Sequence, residues 1–228
     1  MDPLVLMDQA VAQGKLPRAV AKKVGLRVSY VQGGVERVEK ATGLRYPPYY
    51  IEPVLPLSKG GGEYGQTGVM YARVITTTAT GTLSILVQFT AALVAFGTRA
   101  TIEAVAAHEF THYVDLVRRL SKSDVASDER ATTLFEASYA DSERTVPPKL
   151  LFSEKALVSL VSRKFKDGLS DPALNRKVEG SWIAKNLPVR WAATEENMAR
   201  IGMAAVIATR FDPSVVAKAA EIEEKMRA

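Results

Sequence analysis

The 228-residue chain has only two histidines, and they stand four apart in His108-Glu109-Phe110-Thr111-His112. On an α-helix, residues four apart lie one turn above each other on the same face. Both imidazoles can therefore reach one metal ion while Glu109 projects beside them. Two neutral nitrogen ligands next to a carboxylate that can take a proton from water are what metal-assisted hydrolysis requires. The chain has no cysteine, which excludes a disulfide framework, a thiolate site and a dithiol redox motif. A three-residue site on His108 and His112 must then take its remaining protein ligand from a carboxylate or, less often, a tyrosine. Three-histidine sites are ruled out.

A helix over Thr101 to Leu120 is needed to hold this pair. Thr98 or Thr101 can cap it, Glu103 suits its positive N-terminal end, and Arg118 and Arg119 suit its C-terminal end. Ile102, Val105, Ala106, Tyr113, Val117 and Leu120 supply its buried side. Asp115 lies three residues past His112, too far along the axis to join the same ion easily, and is assigned a supporting or helix-stabilising role.

Upstream, residues 3 to 24 read as helix interrupted around Gly14 and Pro17, a packing arm. Leu26 to Val31 has the alternation of a strand, ended by Gly33-Gly34. Val35 to Thr42 is helical and stops at Gly43, and Tyr49 to Leu57 is extended, so a β-α-β start is expected. Gly60-Gly61-Gly62 lacks the following Gly-Lys-Ser/Thr of a phosphate cradle and reads as a loop. Val69 to Thr78 and Thr82 to Thr90 form a hairpin leading into the motif helix. The apolar stretch Leu83 to Gly97 is too short to span a membrane and reads as buried strand and loop. Downstream, helices are expected over Ala126 to Ser142, Ser153 to Phe165, Ala173 to Leu187, Glu195 to Thr209 and after Pro213.

His108 to Asp115, HEFTHYVD, resembles the zinc helix of lethal-factor-type metallopeptidases and related phage and mobile-element zincins, a glutamate-ligand group in which Asp commonly follows the second His. Their downstream helix carries the ligand Glu, followed by bulky apolar residues and Ala. Pro188 to Arg200 is similar to that helix, with Trp191 matching an aromatic that commonly precedes the Glu; Val189 and Arg190 stand where the group has a tyrosine. The resemblance implies one Zn2+ per chain held by His108, His112 and Glu196, with catalysis by Glu109. Glu136, in Phe135 to Asp141, is the alternative third ligand, although Glu129, Glu136 and Glu143 recur every seven residues as on one solvated stripe. Glu129 and Glu143 remain further alternatives, and Glu195 is the neighbour in register to Glu196. The zincin analogy makes Thr82 to Thr90 the edge strand for an extended substrate, with Arg190 and Tyr139 as candidate oxyanion partners.

The hydrophobic fraction of 47% and charged fraction of 24% belong to an ordinary soluble globular protein. The start Met1-Asp2-Pro3 lacks the basic, apolar build of a secretory signal, which points to a cytoplasmic protein with no membrane segment. The expectation is a single α+β, zincin-like domain over 1–228. A helical arm covers 1–24, a small mixed sheet plus metal helix covers 25–120, and a mainly helical lower half covers 121–228. Its function is expected to be that of a zinc metalloendopeptidase acting on a protein or peptide substrate, either broadly or on one dedicated target. The alternative is a catalytically inactive, zincin-like metal-binding or structural protein that binds nucleic acid through its basic surface. The net charge of +5 allows the latter, with Lys15, Arg18, Lys22, Lys23 and Arg27 as the best local cluster.

Overall fold

In the computed structural model, the described residues are 2–59, 67–78, 81–121, 138–139, 145–166, 168–191, 200–201 and 203–227. The chain opens with three helices, α1 (Val5–Ala12), α2 (Arg18–Gly25) and α3 (Val28–Thr42). The break between α1 and α2 falls where Gly14 takes a φ of 70° and Pro17 precedes the second helix. In place of the strand expected at Leu26 to Val31, α3 starts at Val28 and runs through Gly33-Gly34 to the left-handed cap at Gly43. Its buried positions Val31, Gly34, Val35, Val38 and Ala41 keep helical spacing across the glycines. A Cβ on Gly34 would lie 3.3 Å from both the Ala106 Cβ and the Glu103 Cα. Gly34 thus lets α3 come close to the motif helix instead of ending a strand, and no β-α-β unit forms at the start.

Five strands follow: β1 (Tyr49–Glu52), β2 (Leu55–Lys59), β3 (Thr67–Val69), β4 (Ala72–Thr77) and β5 (Ser84–Thr90). One sheet has the order β1-β5-β4, with β1 parallel to β5 and β4 antiparallel to it, so the expected hairpin is present. Its central strand is β5, the segment expected at the edge. Gln88 is buried there, accepting from Arg73 and donating to Glu52 at 2.8 Å. A second sheet joins β3, β2 and, from far along the chain, β7 (Val189–Trp191), which runs parallel to β2.

The remainder of the apolar stretch is a short helix, α4 (Ala91–Phe96), buried from Ala91 to Ala95, rather than a loop; Thr90 caps it by accepting from the Leu93 amide. At the turn after it, a Cβ on Gly97 would stand 2.7 Å from the Leu93 carbonyl oxygen, so only glycine fits this corner. Thr98 then starts α5 (Arg99–Ser121), its hydroxyl accepting from the Thr101 amide at 3.1 Å. Ala104, Ala106, Phe110, Val114 and Val117 show no exposure, so α5 is buried on nearly every side rather than along one stripe. Helix α3, the strand β4 and helices of the C-terminal half pack around it.

After α5 come β6 (Ser138–Tyr139), α6 (Pro148–Leu151), α7 (Lys155–Lys164), α8 (Pro172–Val178, continued by a π-turn over Glu179–Ile183), β7, β8 (Arg200–Ile201), α9 (Met203–Ala208) and α10 (Pro213–Arg227). This half is largely helical, as the pattern predicts, but two of its expected helices are interrupted. Ser138 and Tyr139 pair antiparallel with Ile201 and Arg200 as strands, so neither Ala126 to Ser142 nor Glu195 to Thr209 is one continuous helix. The molecule is α+β, with one hydrophobic cluster running from Met7 to Ile222. Among the described residues, no helix is long and apolar enough to cross a membrane.

Candidate functional site

The middle of α5 carries all three motif residues to the wall of a cavity of about 220 Å³. The helical spacing works as the sequence predicts: His108 Nε2 and His112 Nε2 face each other at 3.1 Å. Two nitrogens about 2.0–2.1 Å from one tetrahedral ion would stand roughly 3.3 Å apart, so the pair has the separation that a shared zinc requires. Phe165, just past the end of α7, stacks flat on His108 with ring centroids 3.7 Å apart and fixes the plane of that imidazole. Burial, with His112 as a second cause, holds His108 down at a pKa of about 3. The ring is neutral at physiological pH, the form that binds metal.

Glu109 points into the core side of the cavity and is 5% exposed. Among the described residues, neither a hydrogen-bond donor nor a cation pairs with its carboxyl group. Burial alone pushes it up to about 8. Buried carboxylates are normally paired, and an unpaired one beside two converging imidazoles fits a site completed by a cation. Tyr46 lies close enough for Glu109 to contribute to raising its pKa, behind burial itself, but its hydroxyl donates to the Ala106 carbonyl at 2.9 Å.

The other acids of the motif helix are balanced. Glu103 meets Arg37 of α3 and Arg99. Asp115, 2% exposed on its side chain, accepts from Arg118 at 2.7 Å and Arg119 at 2.9 Å. Arg118 extends this network to Glu223 of α10. Asp115 thus ties the C-terminal end of α5 to its neighbours, the supporting role predicted for it.

The cavity is also lined by the stretch Val69 to Val74, which runs from the end of β3 into β4, the edge strand of the β1-β5-β4 sheet. The strand beside the histidines is therefore β4, not the Thr82 to Thr90 segment, because β5 lies between two partners. The cations lining the cavity among the described residues are Arg73 and Arg119, neither singled out as oxyanion groups from sequence. Arg73 comes from a strand 35 residues before His108, a proximity that no local pattern reports. Arg190 lies exposed in β7 and does not line the cavity, and the neighbouring Trp191 is half exposed. Tyr139 belongs to β6; its side chain lies outside the described residues.

Glu196 and Glu136 lie outside the described residues, as do Glu129, Glu143, Glu195 and the Gly60 to Gly62 loop. Among the described residues, no cluster of three or more His, Asp or Glu side chains forms a metal site. The strands that follow Glu136 and Glu196 in the chain, β6 and β8, pair with each other. Comparisons of the chain with protein-family models, with curated proteins and with solved structures gave no match.

Proposed function

We propose that this chain is a zinc-dependent metalloendopeptidase of zincin-like build, in which His108 and His112 hold the metal and Glu109 is the general base. The observation that carries the reading is the buried carboxyl group of Glu109, without a partner among the described residues, beside two Nε2 atoms 3.1 Å apart. The third ligand in this reading is Glu196, with Glu136 as the alternative; both satisfy the need for an acid in a chain with no further histidine and no cysteine.

When bound, zinc lowers the pKa of a water toward neutrality and polarises a peptide carbonyl. Glu109, buried beside the two histidines, would accept the proton of the attacking water and deliver it to the leaving amine. Phe165 keeps His108 from rotating away, and Asp115 holds the end of the helix through Arg118 and Arg119. The edge strand β4 is suited to hold an extended peptide by backbone hydrogen bonds, and Arg73 and Arg119 line the same cavity.

Purified protein is expected to contain about one zinc per chain by elemental analysis. Glu109→Gln should retain that zinc while losing hydrolysis of a denatured-protein substrate. His108→Ala should lose the metal. Comparing zinc content in Glu196→Gln and Glu136→Gln identifies the third ligand, since the ligand variant alone should fall well below one ion per chain. Wild-type protein that binds no zinc from a stoichiometric solution would overturn the proposal.

A further inference from the structure

Helices α2 and α8 are about 150 residues apart in sequence, yet both pack against α4, and Lys23 of α2 lies close enough to Lys177 of α8 and to Lys185 to feel their charge. The segment 15–27 contains five cations and no acid; the segment 172–185 contains three cations and the single acid Glu179. Lys15, Arg18, Lys22, Lys23, Lys177 and Lys185 are all exposed. Among the described residues, none of these six meets a carboxylate within ion-pair distance. The contrast is with α10, where Lys218, Lys225 and Arg227 are each paired with Glu221 or Glu223 one turn away.

The cations of the two segments reinforce one another. Lys23 has its ammonium 4.0 Å above the Phe96 ring at the end of α4, and its pKa is lowered by burial and then by Arg27, Lys177 and Lys185. Lys15 shares a groove with Asn186, the residue after Lys185. Arg27 is the exception, since its guanidinium turns inward to the carbonyls of Val94 and Gly97. Holding like charges together costs stability unless a polyanion neutralises them.

We propose that this face, centred on Lys23, Lys177 and Lys185, binds the phosphate backbone of a nucleic-acid duplex without reading its sequence. A phosphate partner fits better than a membrane because the exposed large apolar side chain on α2 and its cap is Leu26 alone, too little to insert into a bilayer. Backbone binding of this kind works through counterion release and tolerates any base sequence. The site is separate from the histidine cavity, so it stands or falls independently of the metallopeptidase reading.

The test is fluorescence anisotropy of the full chain with a labelled 20-base-pair duplex of arbitrary sequence, titrated at salt concentrations from 50 to 200 mM. Binding should weaken steeply with salt. The triple variant Lys23→Glu, Lys177→Glu, Lys185→Glu should bind roughly 30-fold or more weakly and lower the salt slope by about three, one unit for each phosphate that is no longer neutralised. Replacing the same three lysines by Gln should give a smaller loss in the same direction. Lys225→Glu on α10, with the charge change of one such substitution on a different face, should alter affinity less than about threefold. Three results would each overturn the proposal: no binding by wild type at 50 mM salt, an unchanged slope in the folded triple variant, or tighter binding to phosphatidylserine vesicles than to the duplex.

Discussion

Three acids sit six residues apart on the motif helix, and they are treated differently. Glu103 near its start and Asp115 near its end are each held by two arginines, whereas Glu109 between them is as deeply buried and has no such partner among the described residues. The outer two hold α5 to its surroundings. The middle one costs stability in its charged form, and in the proposed metallopeptidase a cation at the histidines would offset that cost. The proposed function assigns the outer two to structure and the middle one to chemistry, and this division can be tested by removing each carboxylate in turn.

The largest difference is expected in rate. Glu109→Gln should lower kcat for peptide hydrolysis by about 10²- to 10⁴-fold with zinc content unchanged, as loss of a general base does. If Asp115→Asn produced the same loss in kcat with a native melting curve, the assignment of the two acids would be reversed.

The next effect concerns pH. In chelator-treated protein, the folded pKa of Glu109, about 8, lies above the ordinary 4.5, so the folded state binds the extra proton between these values. Its contribution therefore lowers stability as pH rises from about 4.5 to 8. Glu109→Gln should then be more stable than wild type at pH 9, by a few kcal/mol, and nearly equal to it at pH 4. Urea denaturation of both proteins at the two pH values checks this, and equal stabilities at pH 9 would mean that Glu109 has an ionic partner.

Smaller effects follow at the balanced ends. Asp115→Asn should destabilise by about 3 kcal/mol, because it leaves Arg118 and Arg119 around a neutral, buried group. Arg37→Met should cost about 1–2 kcal/mol, since Arg37 is partly exposed and Glu103 keeps Arg99. Both values come from chemical denaturation, and both variants should keep their zinc. A destabilisation at Glu109→Ala larger than at Asp115→Asn in the chelated protein would contradict the comparison.

Much of the site and part of the fold were legible in the sequence because they depend on short-range periodicity. The four-residue spacing brings His108 and His112 together whatever the rest of the chain does, and the Thr98 cap and C-terminal arginines of α5 are local signals as well. The strand expected at Leu26 to Val31 went the other way because a six-residue alternation competes with a fifteen-residue helix. That helix is supported by packing on α5 at Gly34, which no local pattern contains. The edge strand was misplaced for a related reason. The hairpin is local, but which of its two strands pairs with β1 depends on a segment more than thirty residues away.

What the sequence determined by itself is the chemistry available: two imidazoles one helical turn apart, a carboxylate beside them, and no further histidine or cysteine with which to complete a metal site. What only the tertiary structure decided is the environment of those groups. It left Glu109 buried without an arginine partner among the described residues, laid Phe165 on His108, brought β4 with Arg73 to the same cavity, and set Lys23 of α2 near the lysines around α8. Residue type and spacing set which bonds a side chain can make. Burial, field and neighbours from distant parts of the chain set which of those bonds it makes, and they exist only once the chain has packed.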